Sequence, residues 1–130
     1  MSLPCTATVL VVDDEPFVLD LLALALRRSG TIARLARSGQ EAVELYSRHR
    51  GDIGLVLLDV RMPQMSGPQT LEALRQLDPN VRCCFMSAEA GCSVDDLLAL
   101  GALAFFRKPF RLAEVIARLE ELLSESRLPG

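Results

Sequence analysis

The run Leu55-Val56-Leu57-Leu58 closes on a single carboxylate, Asp59. Consecutive aliphatic residues without polar alternation belong to a strand covered on both faces, the habit of strands inside a parallel sheet. Val60, Arg61, Met62 and Pro63 follow at once, and then a polar loop that closes on Gly67. Asp59 therefore stands where a central strand delivers its C-terminal end to solvent. In open α/β sheets that edge is where ligands bind.

The flanking segments alternate in type. Residues 7–12 are a short aliphatic strand that stops at Asp13-Asp14-Glu15-Pro16. Asp14 suits an N-cap and Pro16 the first helical turn. A helix follows over 17–29, with Val18, Leu21, Leu22 and Ala25 at helical spacing and Gly30 as its stop. Residues 31–35 form a weaker strand, and Ser38 with Glu41 is a capping-box signature for a helix to about Arg48. After the Leu55–Asp59 strand come a helix over 68–77, a turn at Asp78-Pro79-Asn80 and a strand over 81–87. A short helix over 95–100 ends at Gly101, a fifth strand spans 102–107, and an amphipathic helix runs from 112 to about 125. Five alternations of strand and helix make this an α/β chain with a parallel sheet and helices on both faces. Residues 1–7 read as a lead-in, 8–126 as one domain and 127–130 as a tail, with no repeat or interdomain linker.

Composition narrows the class of function. Half of the 130 residues are hydrophobic and 24% are charged, enough for one packed core. Net charge is −3, the basic residues are scattered and Lys108 is the only lysine, so no nucleic-acid footprint is present. The apolar runs are shorter than the roughly 18 residues of a membrane span. The N-terminus lacks a basic region followed by an apolar one, so the expectation is a cytoplasmic protein. Cys5, Cys83, Cys84 and Cys92 form no Cys-x-x-Cys, and His49 is the lone histidine, which leaves no zinc set. Cys83 and Cys84, adjacent on a strand, point to opposite faces and read as buried thiols.

Strand one ends in Asp13-Asp14, strand three in Asp59, strand four in Ser87 and strand five in Lys108. In a parallel sheet these ends share one edge. Taken singly, Asp13-Asp14 is a strand end with a helix cap, Lys108-Pro109 a surface turn and Ser87 a solvated loop residue. Their joint placement is what points to chemistry. Carboxylates packed together raise each other's pKa values. Such hard oxygen ligands suit Mg²⁺, which keeps several waters and takes one or two carboxylates plus phosphate oxygens. A cation there, with Lys108, would stabilise a phosphoryl group. Asp59, alone at its strand end, is the candidate nucleophile for it.

The segments Val11-Val12-Asp13-Asp14-Glu15-Pro16, Leu57-Leu58-Asp59-Val60-Arg61-Met62-Pro63-Gln64-Met65-Ser66-Gly67, Met86-Ser87-Ala88 and Phe105-Phe106-Arg107-Lys108-Pro109-Phe110 resemble, in order and spacing, the receiver domain of two-component response regulators. The resemblance runs from about Thr8 to Ser126. It implies a doubly wound, flavodoxin-like sandwich with five parallel strands in the order 2-1-3-4-5, the order the family's chemotaxis regulator is known for. It also implies that Asp59 accepts a phosphoryl group from a histidine kinase or histidine phosphotransfer protein. Asp13, Asp14, Asp59 and the carbonyl of Arg61 would bind Mg²⁺, and Lys108 would pair with the phosphoryl oxygens. Ser87 and Phe105 would be the switch pair, Ala88 would leave room for the group, and Lys108-Pro109 would be cis. The donor would dock near Phe17 and the loop after Lys108. The helix from Asp95, strand five and the last helix would form the output face and a surface for a homodimer. Such a domain is a phosphoacceptor switch that catalyses only its own phosphorylation and dephosphorylation.

Two departures stand out. Ser66 occupies a position where Asp is common, with little effect expected because Ser also makes local turn bonds. Arg61, two residues past the acceptor, is expected to pair with Glu89 across the pocket and lengthen the phosphorylated lifetime. Other readings are a receiver module cut from a hybrid kinase or DNA-binding regulator and, less well supported, a flavodoxin-like carrier. A carrier needs a Ser/Thr/Gly-rich phosphate loop after strand one, and Asp13-Asp14-Glu15 opposes a phosphate there.

Overall fold

The computed structural model describes residues 8–88 and 93–126. Five strands, β1 (Thr8–Val12), β2 (Ile32–Ala36), β3 (Ile53–Asp59), β4 (Cys83–Ser87) and β5 (Phe105–Arg107), alternate with five helices. The helices are α1 (Pro16–Arg28), α2 (Gly39–His49), α3 (Gly67–Leu77), α4 (Val94–Ala99) and α5 (Leu112–Ser126). The strands pair parallel in the order β2-β1-β3-β4-β5, so β3 lies at the centre. This is the doubly wound sheet that the alternation and the resemblance imply.

Period-two alternation on the strands divides the core into two layers. Leu10, Val12, Val56, Leu58, Cys83 and Phe85 pack with residues of α2, α3 and α4 on one face. Val9, Val11, Leu55, Leu57, Cys84 and Met86 pack with α1 and α5 on the other. Cys83 and Cys84 thus point to opposite faces, as expected. Burial pushes their thiols up to about 11 and about 12, so both stay protonated and inert. Cys5 and Cys92 lie outside the described residues. No helix among the described residues is long and apolar enough to cross a membrane.

Four sequence expectations shift locally. The N-cap of α1 is Glu15, whose side chain makes no cap bond, and not Asp14. Asp13 Oδ1 instead accepts from the Glu15 backbone N–H at 2.9 Å, which leaves Asp14 free for the sheet edge. The buried face of α1 is Leu19, Leu22 and Leu26, whereas Leu21 is 37% exposed. β3 begins two residues earlier than its aliphatic run, because Ile53 pairs with Thr8 before a register shift that accommodates Gly54. β5 is short: Leu103 donates to Cys83 O and Ala104 O accepts from Phe85, but regular pairing begins only at Phe105. Ser38 Oγ caps α2 by accepting from Glu41 N–H, the Ser half of the expected capping box.

Ser66 has a sharper role than its sequence context suggests. It caps α3 with a complete capping box: Ser66 Oγ accepts from Gln69 N–H and Gln69 Oε1 accepts from Ser66 N–H. The Asp that is common there would cap equally well, which is why Ser is tolerated.

Candidate functional site

The C-terminal ends of β1, β3, β4 and β5 place Asp13, Asp59, Ser87 and Lys108 at one edge of the sheet. Hydrogen bonds of the main chain fix their relative heights. Val60 N–H donates to Met86 O and Lys108 N–H donates to Ser87 O, each at 2.9 Å. Asp13 N–H donates to Ala36 O at 3.1 Å. The sequence constellation is thereby assembled on a rigid frame.

Lys108 is its centre of positive charge. Its Nζ donates to Asp13 Oδ2 at 2.7 Å and lies 3.6 Å from Asp59 Oδ2 and 3.8 Å from Glu15 Oε1. Burial lowers the Lys108 pKa, but the Asp13 hydrogen bond and the charges of Asp59, Asp13 and Glu15 outweigh it and hold it above the usual lysine value. Lys108 is therefore a fixed cation. Asp13 is fully buried and Asp59 only 6% exposed, while Asp14 is open to solvent. Burial chiefly, with the Asp13 carboxylate adding, pushes Asp59 up to about 7. Lys108 and a hydrogen bond from the Arg61 backbone N–H pull against that rise, and Asp14 adds a little to it. The Lys108–Pro109 peptide is cis.

Among the described residues, one group of acidic side chains is close enough to hold a metal ion: Asp13, Asp14 and Asp59, with ligand atoms within 4.8 Å of one another. The donor chemistry fits Mg²⁺, since all three offer hard carboxylate oxygens and the exposed Asp14 leaves room for bound water. Burial raises the Asp59 pKa most and the neighbouring Asp13 and Asp14 carboxylates add to it, so positive charge at this cluster would favour its ionised form.

The loop after Asp59 is held by two backbone features. Gln64 has φ +71°, and Met65 N–H donates to Pro63 O at 2.7 Å, the γ-turn with positive φ that proteins seldom use. It turns the chain back so that Gly67 N–H donates to Val60 O at 2.8 Å. A Cβ on Gly67 would stand 2.5 Å from the Asp59 carbonyl oxygen, so only glycine fits. Sequence reasoning misses both requirements, although Gly67 closing a polar loop is the available signal.

Beside the site, an apolar groove of about 440 Å³ runs between Phe17, Val18 and Leu21 of α1 and Pro109, Phe110 and Leu112, with Lys108 in its wall. Phe17 is 71% exposed and Leu24, two turns on, 46%. A second groove between α1 and α5 continues past Leu21 and Leu24. The expected partner of Arg61, Glu89, lies outside the described residues, and Arg61 itself is exposed.

Residues 9–120 match the family described as the response regulator receiver domain. The chain belongs to that family. The receiver is 42% identical over 118 residues to the transcriptional regulatory protein PrrA of Mycobacterium tuberculosis, covering 88% of this chain and 49% of that protein. It thus spans about half the length of these curated relatives. It is 33% identical to the chemotaxis protein CheY of Thermotoga maritima, covering 88% of this chain and 95% of that one. Its fold matches a chain in the crystal structure of the CheX–CheY–BeF3–Mg²⁺ complex from Borrelia burgdorferi with a TM-score of 0.82. That match has 35% identity and covers 89% of this chain and 88% of the other. The receiver therefore works in two-component phosphorelay signalling as a switch domain.

Proposed function

We propose that residues 8–126 take a phosphoryl group from the phosphohistidine of a histidine kinase or phosphotransfer protein, with Asp59 as the acceptor. One observation carries this reading: Asp59 is a nearly buried carboxylate at the end of the central strand, 3.6 Å from a lysine ammonium that its acidic neighbours keep charged. An Asp59 oxygen attacks phosphorus in line, the O–P bond forms and the imidazole N–P bond breaks. Lys108 neutralises the transferred oxygens, and the Arg61 N–H fixes the orientation of the acceptor. Asp13, Asp14, Asp59 and the Arg61 carbonyl would hold Mg²⁺, which when bound would favour the ionised form of Asp59 and supply positive charge for the phosphoryl oxygens.

Ser87, buried at the end of β4, and exposed Ala88 border the space the group enters. The new charge of about −1.5 to −2 draws Ser87, and half-buried Phe105 follows as the switch. The signal leaves through α4, β5 and α5, the face also assigned to a homodimer. Arg61 and Glu89 are assigned to the phosphorylated lifetime. The cytoplasm is the compartment in which such donors act. A second reading, a receiver module within a larger regulator, draws on PrrA and on the sensor kinase CckA of Brucella abortus, of which the matched stretch covers 49% and 13%.

Acetyl phosphate with Mg²⁺ is expected to give one base-labile acyl-phosphate adduct by mass spectrometry, and none when EDTA is present from the start. A protein that stays unmodified overturns the reading. Phe17→Ala tests the docking groove separately. Transfer from a phosphorylated histidine donor should fall about tenfold or more, as for loss of an aromatic anchor, while labelling by acetyl phosphate stays unchanged. Equal loss with both donors would move Phe17 from docking to folding.

A further inference from the structure

β5 carries a cation on its switch ring. Its register sets Phe105 opposite Phe85 and Arg107 opposite Ser87. Residues two apart on a strand share a face, and Arg107 lies over the Phe105 ring with Cζ 5.7 Å from the ring centroid. A guanidinium within about 6 Å of an aromatic face is attracted by the ring quadrupole. The ring is half-buried against the core that holds Phe85 and Leu97, whereas Arg107 is exposed. One residue further on, Lys108 N–H donates to Ser87 O and its ammonium reaches Asp13 and Asp59. Ring, capping cation and phosphoryl-facing lysine thus sit on four consecutive residues anchored to β4.

We propose that Arg107 is a positioning residue for Phe105: it holds the ring where it now stands and sets the ratio of ring positions before phosphorylation. This rests on the reading of Phe105 as the switch. A contact made in one state only shifts the equilibrium by its own free energy in that state. The contact belongs to the present ring position, and a ring that turns inward towards the core moves away from the exposed Arg107 guanidinium. Arg107 therefore biases the switch without touching the phosphoryl group, and the ring, which has no hydroxyl to hydrogen-bond, has the cation as its polar partner on that side.

The test is NMR of the full chain with ¹³C-labelled phenylalanine, the Phe105 ring resonance being assigned with Phe105→Leu. In the unphosphorylated protein Arg107→Gln, which keeps the polarity of the side chain but not its charge, should shift the ring-position ratio about two- to five-fold away from the parent. Arg107→Lys, which keeps the charge, should stay close to the parent ratio. An unchanged Phe105 resonance in Arg107→Gln overturns the proposal, and so does a lysine variant that behaves like the glutamine one. Acetyl phosphate labelling, run in parallel, reports on the phosphoryl-accepting site and not on the ring position. Its failure would remove the receiver chemistry and leave the ring measurement standing.

Discussion

Asp59→Asn is expected to abolish acyl-phosphate labelling and, in the absence of Mg²⁺ at about pH 8, to stabilise the fold by up to about 4 kcal/mol. The two effects have one cause. The site holds a carboxylate whose pKa is about 7 because it is buried beside Asp13. An acid whose pKa is higher in the folded than in the unfolded protein binds its proton more tightly when folded. Its contribution is therefore most favourable below the unfolded value of about 4, and stability declines as the pH rises from about 4 to about 7. A tenfold difference in proton affinity between folded and unfolded protein is worth about 1.4 kcal/mol. Asparagine has the same shape and no charge, so the decline disappears. Urea unfolding at about pH 5 and about pH 8 measures it: the gain should be a little over a third of its full size at the lower pH and near its full size at the higher one. Saturating Mg²⁺ should narrow the gap, since it binds the folded parent and not the unfolded chain. A gain that is the same at both pH values would show that Asp59 charge is not the source.

That conflict between function and stability explains what can be read from the sequence. Asp13, Asp59, Ser87 and Lys108 are legible because each terminates an apolar strand, and strand period and parallel topology bring such ends to one edge. The sheet order comes from the resemblance, since alternation alone does not choose among the doubly wound orders. The cap of α1 is not legible because residue type favours Asp14 over Glu15, and the deciding bond, Glu15 N–H to Asp13 Oδ1, depends on three-dimensional placement. The buried face of α1 escapes for a related reason. Phe17, Leu21 and Leu24 add apolar residues outside the stripe of Leu19, Leu22 and Leu26, and a helix apolar on two sides fits more than one phase. That excess is itself a signal of a second apolar surface, the groove beside Lys108. The Arg107–Phe105 contact and the reach of Glu15 to Lys108 depend on side-chain direction, which residue type does not specify.

Gly67→Ala should cost about 1–3 kcal/mol of stability and most of the labelling rate, although it adds one methyl group and no charge. The added Cβ would meet the Asp59 carbonyl oxygen at 2.5 Å, the Val60 Cα at 3.0 Å and a Phe85 ring carbon at 3.1 Å. Two of the three are backbone, so no side-chain rotation relieves the crowding. Gly67 is also the first residue of α3, and its N–H bond to Val60 O closes the acceptor loop. Moving it away strains both, while Ser66 and its capping box hold the helix end in place. The Asp59 and Val60 backbone is bonded to β4 and to Gly67, so any displacement of it turns the acceptor carboxylate relative to Lys108. The expected pattern is a lowered urea midpoint together with slower acetyl phosphate labelling under fully native conditions. Ser66→Ala, which removes only the cap oxygen, serves as the comparison: it should cost about 1 kcal/mol with labelling unchanged. If Gly67→Ala labelled at the parent's rate, the close approach of Gly67 to the Asp59 carbonyl would matter to folding alone and not to the placement of the acceptor.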